Sequence, residues 1–217
     1  MPNGHPLELH TLPALHPRTA ILQGFGTSTV VRLSIDPTLL PSGTMVRAVS
    51  VNWLARPGGN PPQHVSRDIG WSNIPQYAGR VLCLLWSNTK NAQDITEEAA
   101  IGVMALLISN LETAEILRVL QIGSGGDYLL EIQGVGQLQA ESSGVHIDPH
   151  GYLSNARLVQ KRNQVLTKSS VGFAAVTAFS HTATLEVHSY LHYVTASPGG
   201  KPRKGRGGKK KSPGKRP

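Results

Sequence analysis

From Asp127 to Ser143 the chain alternates apolar and polar residues on either side of Gly134-Val135-Gly136, in the run DYLLEIQGVGQLQAESS. Alternation at period two marks a β-strand with one buried face, because successive side chains point to opposite sides of a sheet. A three-residue turn at Gly134-Val135-Gly136 folds the run into a hairpin. Gln133 then faces Gln137, Glu131 faces Gln139, Leu129 faces Glu141 and Asp127 faces Ser143. These eight residues share one face, and seven of them are polar. Tyr128, Leu130, Ile132, Leu138 and Ala140 fill the other. A two-residue turn would flip one strand and mix the faces. In the three-residue register Asp127 and Glu141 are diagonal neighbours, with Cβ atoms about 7 Å apart or less. Two carboxylates at that spacing can bridge one divalent cation through oxygen ligands, as magnesium prefers. A face turned to water explains Gln133, Gln137 and Gln139 equally well, so surface and metal site both stand at this point.

The segments around the hairpin set the fold class. DITEEAAIGVMALLISNLE opens with Asp94 three residues before Glu97, a capping-box pattern, and continues with apolar residues at helical spacing. AEILRVLQIG has the apolar, β-branched character of a central strand. YLSNARLVQKRNQVL lacks Gly and Pro and forms a second helix, with VGFAAVTAFSH and TATLEVHSYLHYV as two closing strands. The expectation is an α/β (α+β) fold with a mixed sheet, in the order helix, strand, strand, strand, helix, strand, strand, over residues 94–194. Residues 1–93 are expected to form a β-rich N-terminal region of strands and long loops. STVVRLSI, TMVRAVSVNWL and GRVLCLLWSN are its β-like runs, separated by IDPTLLPSGT and RPGGNPPQ. Trp53, Trp71 and Trp86 serve there as core or loop anchors.

Charge is distributed unevenly. Nine of the 21 Lys and Arg residues lie between Lys201 and Pro217 with no acid among them, which leaves 12 against the 13 Asp and Glu of the chain. The formal charge of +8 therefore belongs to residues 195–217, a Gly-, Pro- and Ser-rich tail that buries too little apolar surface to order itself. Lys201, Arg203, Lys204, Arg206, Lys209, Lys210, Lys211, Lys215 and Arg216 suit a polyanion, held by counterion release with steep salt dependence. A solubilising extension has the same composition. The single cysteine, Cys83, excludes an internal disulfide and a cysteine-based zinc site. No stretch reaches the roughly 18 apolar residues of a membrane helix, and MPNGHPLELHTLPALHP lacks the basic and apolar regions of a signal peptide. A soluble, cytoplasmic chain with nucleic acid as its partner is expected.

With an acid opening the second strand and another within the third, residues 94–194 resemble the PD-(D/E)XK nuclease-like fold. The usual core of that fold is a helix, three antiparallel strands, a second helix and a further strand. The pattern GSGGDY followed by ESSG is also similar to one in uncharacterised bacterial proteins. The resemblance implies that Asp127 and Glu141 are the metal-binding carboxylates, that Glu97 or Glu98 is the additional acid on the first helix, and that Mg²⁺ is the cofactor. Gly126 stands where the family often has Pro, and Ser143 stands where it has its lysine. Members that move the lysine place it on the following helix, where Lys161 lies, with Gln164 a turn later and Arg157 a turn before. The implied function is Mg²⁺-dependent phosphodiester hydrolysis of nucleic acid, with Asp127, Glu141, Lys161 and Gln164 as its catalytic group. The alternatives are a non-catalytic nucleic-acid-binding or accessory protein that has lost its lysine, and a structural or interaction protein. Outside this group, His146, Asp148 and His150 in HIDPH alternate as metal ligands would, in a loop that favours solvent exposure. His181, His188 and His192 fall in the closing strands, where satisfied structural histidines are the expectation.

Overall fold

In the computed structural model, residues 5–19, 22–34, 45–58, 62–71, 88–120, 127–146, 150–181 and 185–196 are described. Strand β1 (Leu7–Glu8) leads through a 3₁₀ turn into α1 (Leu12–Leu15) and α2 (Leu22–Leu33). Strands β2 (Val46–Leu54) and β3 (Gln63–Gly70) follow, then α3 (Ala92–Glu112), β4 (Ala114–Val119), β5 (Tyr128–Ile132) and β6 (Gly136–His146). The chain continues through α4 (Tyr152–Lys168), β7 (Val171–His181) and β8 (Leu185–Thr195). The described strands form one mixed sheet in the order β1-β3-β2-β8-β7-β6-β5-β4. β4, β5 and β6 are an antiparallel meander, α4 crosses over, and β7 returns parallel to β6. An α/β fold with a mixed sheet is thus what the chain adopts, with α3 through β8 in the expected order.

Two cores lie on opposite faces of this sheet. Phe173, Ala175 and Phe179 of β7 point into the larger one with α2, α3, Tyr128, Leu130 and Ala140. Ala174, Val176 and Ala178 point into a smaller one under Leu158 and Val165 of α4. Alternation along β7 therefore separates two apolar faces, as a strand covered on both sides requires. α3 is apolar on nearly all sides because it runs between the sheet and α2.

Several expectations change. STVVRLSI is not a strand: Ser28 to Leu33 belong to α2, where Leu22, Phe25, Thr29, Val30 and Leu33 recur at helical spacing and are buried. A short β-branched run carries little periodicity, and packing on α3 overrides its strand propensity. α3 starts a turn earlier than Asp94, because Asn91 caps it by accepting from the Asp94 backbone N–H at 2.8 Å. β4 is the last strand in the sheet order and not a central one; Arg118 and Val119 are exposed beyond an irregularity after Ile116. Gln63–Gly70 is a strand among the turn-rich residues. The run containing Cys83 and Trp86 lies outside the described residues, as do Gly123–Gly126, Asp148 and the basic tail.

The N-terminal strands join the sheet through β2, which pairs parallel to β8, and side chains reinforce the junction. Trp53 Nε1 and Arg56 Nε each donate to the buried Glu112 carboxylate at 2.7 Å. His16, fully buried, contacts the Ala105 carbonyl through Nε2 at 3.1 Å, and its Nδ1 accepts from the Ile116 N–H at 2.9 Å. Both bonds are made when the neutral ring carries its proton on Nε2. Burial lowers the His16 pKa below the ordinary histidine value, against the opposing pull of the Ala105 carbonyl and Glu115.

A depressed folded-state pKa means the unfolded chain binds the extra proton first. The stabilisation from His16 is therefore present above the unfolded value of about 6.5 and is lost as pH falls below it. Thermal melts are expected to show a midpoint that drops between neutral pH and pH about 5.5, with a shallower drop in His16→Gln. His16→Ala is expected to cost about 2–4 kcal/mol in urea unfolding, since it leaves two buried backbone groups unpaired.

Candidate functional site

The hairpin forms with a three-residue loop, one position earlier than the sequence suggests. Ile132 pairs with Gly136, Glu131 with Gln137 and Leu129 with Gln139, and the Val135 N–H donates to the Ile132 carbonyl at 3.0 Å. Gly134 and Gly136 have φ of +75° and +100°, a backbone region that side chains other than glycine's rarely enter, and this seats the loop at Gln133-Gly134-Val135. The displacement changes each pairing by two residues, so every side chain keeps its expected face. It also moves Asp127, just outside β5, from a diagonal position to one beside Glu141.

Those two acids meet a lysine from above the sheet. Lys161, in the middle of α4, places Nζ 2.9 Å from Asp127 Oδ2 and 3.0 Å from Glu141 Oε2. Lys168, two turns on, reaches Glu141 Oε1 at 3.0 Å. Glu141 is 1% exposed, whereas the Asp127 side chain keeps 38% of its surface in solvent. Burial alone would lower the Lys161 pKa, but its hydrogen bonds to Asp127 and Glu141 and their charges outweigh that and carry it upward. Burial, followed by the charges of Asp127, Glu97, Glu98 and Glu141, raises the Tyr128 hydroxyl. Gln164, three residues after Lys161, presents a buried Oε1 that accepts no hydrogen bond among the described residues.

Glu97 does different work. β6 outruns β5, whose ladder ends at Ala140, so the N–H groups of Ser142 and Gly144 have no strand partner on that side. Asp127 Oδ2 accepts from the Ser142 N–H at 3.0 Å, and Glu97 Oε2 accepts from the Gly144 N–H at 2.7 Å. Glu97 Oε1 also receives Ser143 Oγ at 3.2 Å and Gln93 Nε2 at 2.9 Å. A Cβ on Gly144 would sit 2.3 Å from the Thr96 carbonyl, which is why β6 can approach α3 this closely. Glu97 of α3 is thus spent on one backbone N–H and two side-chain donors. Glu98 pairs with Lys90 and Ser28.

Arg157 and Gln160, just N-terminal to Lys161, border a cleft of about 540 Å³ that reaches across to Gln93 on α3 and Val145 on β6. The sequence does not show this cleft, since Gln93 of α3 comes to it from far along the chain from β6 and α4. Of the histidines, His146 ends β6 with a pKa lowered by burial and then by Arg32. The exposed His150 ring lies 6.0 Å from Tyr152. His188 bonds Glu186 at 3.1 Å, and His192 bonds Asn52 at 3.1 Å with its pKa pushed down to about 4 by burial and then Arg162. Among the described residues, no three His, Cys, Asp or Glu side chains converge as metal ligands, and no helix is long and apolar enough to cross a membrane. No family model, no curated protein and no solved structure matches the chain.

Removing one partner of a buried charge group strands the other. Lys161→Ala is expected to cost about 3 kcal/mol in denaturant unfolding, and Asp127→Ala about 1 kcal/mol or less, because Asp127 is partly solvated. Equal costs for the two would contradict the burial difference described for this group.

Proposed function

We propose that the chain is a divalent-metal-dependent phosphodiester hydrolase acting on nucleic acid, with Asp127, Glu141 and Lys161 at its centre. The observation that carries this reading is the shared ammonium: two acids from neighbouring strand segments and one lysine from the following helix meet at a single point. Such a trio, beside a cleft lined by Arg157, is the arrangement implied by likeness to the PD-(D/E)XK nucleases with a relocated lysine. The donor set suits a hard cation, since both acids offer oxygen and already share one positive charge.

Magnesium bound between Asp127 and Glu141 would polarise a phosphate and lower the pKa of a coordinated water. The partly exposed Asp127 and the buried Glu141 are the residues that would hold the cation. Lys161 must swing from the position it shares with them. Its raised pKa keeps it cationic as it does so, fit to donate to phosphoryl oxygens as charge builds on them. Gln164, on the same helix, has a buried acceptor with no hydrogen-bond partner among the described residues. The basic tail supplies affinity without sequence readout.

One observation favours a second reading. Lys161 and Lys168 together neutralise Asp127 and Glu141, and a lysine that never leaves would make a non-catalytic nucleic-acid-binding protein.

Two assays separate these. Asp127→Asn and Glu141→Gln are each expected to reduce Mg²⁺-dependent cleavage of DNA or RNA by about a hundredfold or more. Mg²⁺ or Mn²⁺ alone should raise the melting temperature of the parent chain and leave both variants unmoved. Cleavage equal in all three chains would reject the hydrolase; binding without cleavage at any metal would establish the second reading. Deleting residues 201–217 is expected to weaken nucleic-acid binding about tenfold or more at low salt, with a smaller loss at high salt. Unchanged affinity would place the binding surface on the folded body.

A further inference from the structure

The cleft beside Lys161 has a composition that the hydrolytic trio does not require. Val145, Leu153 and Ala156 make its apolar wall, Gln93, Arg157 and Gln160 make its polar rim, and Gly144 and His146 of β6 complete the lining. Leu153 and Ala156 are exposed, on the first turns of α4. The volume of about 540 Å³ is in the range of small-molecule pockets.

The rim groups are partly committed, and the commitments show what remains. Arg157 donates to Gln160 Oε1 at 3.0 Å and makes no ion pair with a carboxylate among the described residues. That bond leaves the Gln160 amide nitrogen as a donor. Gln93 donates its amide nitrogen to Glu97, which leaves its carbonyl oxygen as an acceptor. Glu97, one turn after Gln93 on α3, is engaged by Gly144, Ser143 and Gln93. Of the cations on α4, Lys161 and Lys168 are paired with Asp127 and Glu141, and Arg157 lines the cleft, so the rim is positive at Arg157. An apolar wall, amide groups of Gln160 and Gln93, the His146 imidazole and a guanidinium with no carboxylate partner among the described residues match a nucleobase attached to a phosphate.

The position agrees with that chemistry. Arg157 precedes Lys161 by one helical turn, a rise of about 6 Å. Val145 lies four residues beyond Glu141 on the same face of β6, about 13 Å along the strand. The cleft is therefore within a nucleotide or two of the acid pair.

The geometry points to a nucleotide subsite here: a base lies against Leu153 and Ala156 with its edge toward Gln93 and Gln160, and its phosphate rests on Arg157. This rests on the hydrolase reading and narrows its substrate to single-stranded nucleic acid, because a stacked, paired base cannot enter a pocket of this kind.

The test uses the full chain in EDTA at about 150 mM salt, which screens weak contacts with the tail. Nucleoside 5′-monophosphates and inorganic phosphate are titrated separately, following the backbone amide signals of Gly144, Val145 and Gln160. The nucleotides are expected to bind about tenfold or more tightly than phosphate and to shift these signals. Arg157→Gln removes the phosphate contact, and Ala156→Trp fills the cleft from an exposed helix position that tolerates substitution. Each is expected to weaken nucleotide binding about tenfold with an unchanged melting temperature. Single-stranded oligonucleotides should outcompete duplexes of the same sequence for the parent chain. Phosphate binding as tightly as nucleotides, parent-like nucleotide affinity in both variants, or duplexes preferred would each overturn the subsite. Cleavage by Asp127→Asn, measured in parallel with Mg²⁺, reports on the hydrolase reading alone, so failure of either idea is visible separately.

Discussion

Glu141 is an acid buried between the sheet and α4, and burying an isolated carboxylate costs several kcal/mol. Lys161 and Lys168 meet its two oxygens, and their reach sets where α4 lies across the sheet. Leu158 and Val165 then fall over β7, and the smaller core closes beneath them. The same lysine brings in Asp127, whose carboxylate in turn holds the Ser142 N–H at the unpaired edge of β6. One charge group therefore joins helix placement, strand termination and the proposed chemistry. A charged group at such a position is costly as a stabilising device, and hydrophobic residues would serve packing as well or better. The proposed chemistry would account for a group kept at that cost.

The unequal lengths of β5 and β6 are the second constraint. Because β6 continues past the last ladder pair, its outer edge exposes N–H groups that a third strand would otherwise satisfy. Asp127 and Glu97 satisfy two of them, and the first turns of α3 come close enough to require glycine at position 144. Beyond this edge, no element of the described chain fills the space between α3, β6 and α4, and the cleft results. Strand mismatch thus produces both the anchored acids and the open volume next to them.

Much of the arrangement was legible locally. Both faces of the hairpin followed from alternation, and a loop displaced by one residue left them intact because the pairings moved by two. The helix expected from Asp94 was present but started earlier, since a side-chain cap three residues upstream competes with any later start. By contrast, Ser28–Leu33 misleads: its valines favour strands, and only the buried contact with α3 makes that segment helical. The edge position of β4 was equally invisible, because apolar content does not say how many neighbours a strand has.

By itself, the sequence determined what depends on near neighbours in the chain: two helices flanking a meander, and the set of side chains on each hairpin face. Tertiary structure alone decided that Lys161 sits between Asp127 and Glu141, that Glu97 serves the Gly144 N–H, and that Gln93 and Arg157 face one cleft. Periodicity is a property of a few consecutive residues, whereas these contacts join positions 20 to 64 residues apart. Such contacts exist only after α3 and α4 have packed on opposite faces of a completed sheet.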